Sequence, residues 1–218
     1  MNPGLPYLVE IPVLVGDGKE QWALFENSNY TIKPAVRGLD YWRGWVDGVY
    51  THTGGLQRGF YWNLEFAWQV VREVVYEEDI STLSDKIIDW GQQFIWIPST
   101  HGDISWEHTD IKTLSKYFTY IFAQSNYYQG KTTDLGAWFS SFKNFRDSNH
   151  LNNLFMEMEC DGRVQTGDEE HNIPPETFIH RACDYVQYAN NFPHRAYYYG
   201  TNIKNLIIVK SHCPDYIG

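Results

Sequence analysis

The stretch FYWNLEFAWQVV, residues 60–71, alternates Phe60, Trp62, Leu64, Phe66 and Trp68 with Tyr61, Asn63, Glu65, Ala67 and Gln69. Successive side chains of a strand point to opposite faces, so this period of two predicts a strand with one greasy and one mixed face. Near the start, YLVEIPVLVGDGKEQWALFE places two β-rich runs around Asp17-Gly18, a pair suited to a tight hairpin turn. NSNYTI continues that sheet, FIWIP and the terminal NLIIVK add strands, and NLFMEMECDGRVQ predicts a second hairpin at Asp161-Gly162. Gly44, Gly48, Gly54, Gly55 and Gly59 predict turns through residues 39–59. Helices are expected in STLSDKIIDWGQQF, TDIKTLSKYFTYIFAQ and PPETFIHRACDYVQYANN, each with an apolar stripe at helical spacing. This order does not alternate as a doubly wound sheet does. The expected fold is α+β, an antiparallel β-sandwich-like sheet core with about three added helices. No linker, repeat or low-complexity tract interrupts the chain, so residues 1–218 read as a single domain.

Charge narrows the partners. The net charge is -10 with His neutral, and no run of Lys or Arg occurs. Phosphate contacts dominate nucleic-acid affinity, so no sequence-specific nucleic-acid partner is expected, nor an anionic membrane surface. No apolar run approaches the ~20 residues that span a bilayer, and the first residues carry no basic leader. Cys160, Cys183 and Cys213 are too few and too scattered for a disulfide framework, and fit a reducing compartment. The 9 Trp, 16 Tyr and 12 Phe exceed what an ordinary core needs, which suggests ring-rich surfaces that pack on other copies of the chain.

Several constellations can carry chemistry. His101-Gly102-Asp103 with His171 has the composition of a facial triad for Fe(II), and Arg181 suits a 2-oxoglutarate carboxylate; this is the alternative enzyme reading, against a plain turn made by Pro98, Ser99, Gly102 and Asp103. Glu157 and Glu159 form a carboxylate pair fit for acid–base work, against an exposed strand face alternating with Met156 and Met158. Cys183, with His180 a helical turn earlier and Asp184 beside it, reads first as a small packed residue. THTGGLQRG lacks the lysine of a phosphate loop.

A strand leading into GDG, then ENSNYTI, LDYWRGW, TGGLQRGF and RACDYVQYANN, taken in order, resembles the cypovirus polyhedrins, which crystallise around virions. The resemblance covers about a third of the chain. It implies a β-sandwich with added helices, trimers packed into a dense crystal in the host-cell cytoplasm, virions as cargo, no required cofactor, and nucleotides held in the lattice. The chain departs from the family in lacking a longer N-terminal arm, which would leave lattice links to residues 39–59 or the C-terminal tail.

Tyrosine chemistry points the same way. Tyr titrates near pH ~10 and Lys near ~10.4, so full titration would carry the chain from -10 toward about -35. Repulsion on that scale could dissolve a lattice. Tyr127, Tyr128, Tyr197, Tyr198 and Tyr199 are the expected pH-sensitive contacts. The function expected is therefore a self-assembling occlusion-body protein without enzyme activity. Two alternatives stand beside it: an Fe(II)/2-oxoglutarate-type oxygenase, and another virion or phage structural component.

Overall fold

A computed structural model of the protein describes residues 7–12, 38–200 and 202–213. Six strands, β1 (Leu8–Ile11), β2 (Gly59–Trp62), β3 (Gln93–Trp96), β4 (Tyr120–Ala123), β5 (Leu154–Glu159) and β6 (Ala196–Tyr198), follow one another in the order β1-β2-β3-β4-β5-β6. The pairs β1–β2, β2–β3, β3–β4 and β5–β6 are all parallel. The expected antiparallel sandwich is thus replaced by a parallel sheet, and the β-sandwich implied by the polyhedrin resemblance is not the fold of this protein. The hairpin expected at Asp17-Gly18 and the segment NSNYTI lie outside the described residues.

Parallel strands need a crossover between them, and two unexpected helices supply it. Residues expected as glycine-rich turns form α1 (Gly38–Thr53), which buries Trp42 and Val46 four residues apart. Gly44 and Gly48 lie inside this helix and are not among the glycines with positive φ, so they open no turn. Further on, α4 (Leu135–Ser148) starts where the Asp134 carboxylate accepts a hydrogen bond from the Ala137 amide at 2.8 Å. It buries Leu135, Trp138, Phe142 and Phe145, the spacing of one helical face. The other helices are α2 (Glu77–Asp89), α3 (Ile111–Leu114), α5 (Arg163–Thr166), α6 (Pro175–Asp184), α7 (Val186–Ala189) and α8 (Lys204–His212).

The long alternating strand shortens to four residues. After Trp62 the chain turns repeatedly, because Asp110 accepts from the Val70 amide at 2.7 Å and the Val71 amide at 3.2 Å. Val74 and Val75 donate back to the Gln69 carbonyl. Its alternation nonetheless marks a real face: Phe60 and Trp62 are fully buried, and Trp62 meets Trp42 and Phe94 edge-on. A Cβ on Gly59 would stand 2.0 Å from the Gln93 carbonyl oxygen, so only glycine lets β2 lie this close to β3.

The expected terminal strand NLIIVK is α8. Its Asn205 and Val209 are buried one turn apart, and the Asn205 side chain donates to the Tyr199 carbonyl at 2.8 Å. The hairpin expected at Asp161-Gly162 is also absent: Gly162 has φ -56 and leads directly into α5. Contrary to the reading of Cys183 as a packed thiol, Cys183 and Cys213 form a disulfide that joins α6 to the end of α8. Cys160 remains a buried free thiol, pushed up to about 12 by burial and then by the neighbouring Asp161 charge.

The described residues fall into two compact units. One takes residues within Met1–Pro98 and Glu107–Ile121; the other takes Ser99–Trp106 with those within Phe122–Gly218. Aromatic rings fill both cores: Trp42, Trp62, Phe94 and Phe118 in the first, Trp106, Trp138, Phe142 and Phe155 in the second. Among the described residues no helix is long and apolar enough to cross a membrane.

Candidate functional site

Parallel sheets present ligand sites at the carboxyl ends of their strands, where loops diverge from a rigid frame. In the second unit those ends are unusually polar. Ser99 and Gln124 continue the chains beyond β3 and β4 through a parallel bridge. The Ser99 hydroxyl donates to the Asn126 side-chain oxygen at 2.8 Å, and Asn126 donates to Gln124 at 3.4 Å. Ser99, Thr100, Gln124, Ser125, Asn126 and Thr132 are all buried. His101 and Asn126 both have left-handed backbones, with φ 53 and 55. Such conformations cost energy in residues with a Cβ and cluster where the surrounding structure holds them for a purpose.

β5 carries the most unusual feature. Glu157 and Glu159 are 2% and 1% exposed. The reading of this pair as an exposed strand face is overturned. Glutamate is almost never fully buried unless partnered, since removing a charge from water is costly. Two residues apart, both carboxylates lie on one face of β5, opposite Met156 and Met158. β6 pairs Glu157 with Ala196 and Glu159 with Tyr198, so the 47% exposed Tyr198 stands beside Glu159 on the same face of the sheet.

Two phenols tie this region to the β4 loop. Tyr185, fully buried between α6 and α7, donates to Glu159. The same oxygen contacts the Ser125 hydroxyl at 2.9 Å and accepts from the Tyr128 amide at 3.2 Å. Burial and the Glu159 charge raise the Tyr185 phenol well above its ordinary range. Tyr128, also fully buried, donates to Asp161 at 3.0 Å, and burial raises it too. Asp161 is gripped by Arg163 through contacts of 2.9 to 3.1 Å. Burial alone would raise Asp161; the Arg163 guanidinium and amide outweigh it and hold the carboxyl below its usual range.

The expected pH-sensitive tyrosines divide accordingly. Tyr128 is buried within the chain. Tyr127 is half-buried and donates to Asp184 at 2.7 Å; burial and then Asp184 push it up to about 12. Tyr197 and Tyr199 are half-buried, and Tyr198 is exposed. The proposed iron ligands do not converge. His171 pairs with Asp168 at 3.1 Å in an exposed loop, while His101 lies 3.5 Å from the Lys131 ammonium. Burial, then Lys131, lowers the His101 imidazole. Among the described residues no group of three His, Cys, Asp or Glu side chains could hold a metal ion. Arg181 instead donates to the Tyr128 carbonyl at 3.1 Å.

A protein of Methanocaldococcus jannaschii described as uncharacterized is similar to this chain, with 28% identity across 95% of it and 71% of the relative's length. No family model matches the chain. No solved structure matches it.

Sequence reasoning identified the Glu157–Glu159 pair but placed it on a solvent face. It missed Ser125, Asn126, Asp161, Arg163 and Tyr185, which no short motif joins. The one available signal was the density of polar residues in AQSNYYQG directly after an apolar strand.

Proposed function

We propose that this chain is a hydrolase of glycosidic bonds, with Glu157 and Glu159 as its acid–base pair. The observation that carries the reading is their near-complete burial on one face of β5, at the carboxyl end of a parallel strand. Successive same-face residues of a strand are ~6.6 Å apart along it, close to the separation at which one carboxyl group can act as acid while the other activates a water. In the reaction, one carboxyl group gives its proton to the leaving oxygen as the C–O bond breaks. The other, as a carboxylate, takes a proton from the water whose oxygen bonds to the anomeric carbon. The next turnover begins when these two protons are exchanged with solvent.

The surroundings suit a neutral, polyhydroxylated substrate. Ser99, Gln124 and Asn126 offer uncharged donors and acceptors at neighbouring strand ends. Tyr198 supplies an exposed ring beside Glu159 on which the apolar face of a sugar can stack. Aryl glycosides of different sugars, assayed with wild type, Glu157→Gln and Glu159→Gln, test the reading. At least one should be hydrolysed, and each substitution should slow turnover roughly a hundred- to ten-thousand-fold. Absence of turnover across sugars, or equal turnover by the variants, contradicts it.

A further inference from the structure

We infer that the Cys183–Cys213 disulfide is a redox-sensitive clamp: it holds the loop after β4, residues 125–132, in place, and a dithiol reductant releases that loop. The inference does not rest on the proposed hydrolase reading. The end of α6 is where the loop is gripped. Arg181 donates to the Tyr128 carbonyl at 3.1 Å, and Asp184 accepts from the Tyr127 phenol at 2.7 Å. The Tyr185 oxygen accepts from the Tyr128 amide at 3.2 Å and meets the Ser125 hydroxyl at 2.9 Å. Gly130, with φ 78, lies so close that a Cβ there would stand 3.3 Å from the Arg181 guanidinium. Cys183 sits within this same run of residues, and its sulfur bonds to Cys213 directly after α8. The loop also closes on itself. The Gly130 amide donates to the Tyr127 carbonyl at 2.9 Å, and the Lys131 amide to the Asn126 carbonyl at 3.1 Å.

Reduction leaves α8 attached elsewhere. Asn205, in its first turn, donates to the Tyr199 carbonyl at 2.8 Å and accepts from the Gln165 side chain. The disulfide fastens the other end of the helix. Its loss frees the last turn of α6 without undocking α8, and such local opening costs less than unfolding the whole unit. The reaction is thiol–disulfide exchange. One thiolate of the dithiol bonds to the sulfur of the half-buried Cys183 as the S–S bond breaks, and Cys213 leaves as a thiolate. The second sulfur of the dithiol then bonds to the first and releases Cys183. The dithiol loses two electrons, the cystine gains them, and the two thiol protons end on the two cysteines. Buried Cys160 is already a thiol and takes no part.

Hydrogen–deuterium exchange of the folded protein, with and without dithiothreitol, tests this and needs no substrate. Reduction should speed exchange of the Tyr128, Gly130 and Lys131 amides roughly tenfold or more. It should leave unchanged the Leu151 amide, which donates to the Arg146 carbonyl at 3.0 Å in the same unit. The double substitution Cys183→Ser, Cys213→Ser should show the fast loop exchange with or without the dithiol. An unchanged loop in the reduced wild type, or equal acceleration at Leu151, overturns the inference. So does a double variant whose loop still responds to the dithiol. Should that variant fail to fold, the wild-type comparison alone decides. Because exchange is read without a glycoside, failure of the clamp leaves the hydrolase reading standing, and absence of hydrolysis leaves the clamp standing.

Discussion

Tyr128 and Asp161 exchange two hydrogen bonds through a single oxygen: the phenol donates to the carboxylate at 3.0 Å, and the Asp161 amide donates back to the phenol at 3.2 Å. This pair fastens the β4 loop to the end of β5, next to the carboxylates that the proposed chemistry uses. Arg163 completes it, binding the carboxylate and lying over the Tyr128 ring at 5.0 Å and the Phe178 ring at 4.7 Å.

The phenols make the second unit sensitive to alkali. Tyr127, Tyr128 and Tyr185 are all raised in the folded state, Tyr127 to about 12. In the unfolded chain they titrate near ~10. Their contribution to stability is complete below that value and is lost as pH climbs through the raised one. Circular dichroism and phenolate absorbance, followed together from pH 8 upward, should show a cooperative transition between about 10 and 12 in which these phenols ionise. Full ionisation of every tyrosine with the fold intact would contradict this.

Acid should act through Asp161. Its carboxyl is held below the usual range, so its contribution is present above about pH 4 and lost as pH falls through the lower folded value. Arg163→Met leaves a half-buried carboxylate without its cation. The variant should be less stable at neutral pH by about 1–3 kcal/mol, and that deficit should shrink as acid protonates Asp161, as read by urea denaturation across pH.

Linking Cys183 to Cys213 closes a loop with a sequence separation of 30. Loop-closure entropy assigns a cross-link of this span about 3–4 kcal/mol. The double substitution Cys183→Ala, Cys213→Ala should lower the unfolding free energy by roughly that amount, and a reducing agent should affect wild type but not the variant.

Asp110 should matter for the first unit alone. It is 6% exposed and accepts from the Val70 and Val71 amides. Asp110→Ala leaves both without that acceptor and should cost about 1–3 kcal/mol in chemical denaturation.

The sequence made the faces of the sheet legible more readily than its direction. Phe60, Trp62, Phe94 and Trp96 are buried as alternation and apolar runs predict, and α6 begins at Pro175 as proline placement predicts. Parallel pairing was hidden because α1 contains Gly44 and Gly48, which imitate turns, and because α4 passed unread between an expected helix and an expected strand. NLIIVK is rich in β-branched residues, yet tertiary contacts of Asn205 and a disulfide at Cys213 keep it helical. For the site, the carboxylate spacing was plain but its burial was not, since Met156 and Met158 fit either a solvated strand or a central one. The contacts of Tyr185 to Ser125 and Glu159 join residues 60 and 26 positions apart, and local pattern carries no trace of them.

Binding of a basic iminosugar, a cation shaped like the charged sugar of the transition state, tests the carboxylate pair most directly. Calorimetry at neutral pH should show one molecule bound per chain, with affinity reduced at least tenfold in Glu157→Gln and in Glu159→Gln. No binding by folded protein, or the same affinity in all three, would contradict the account.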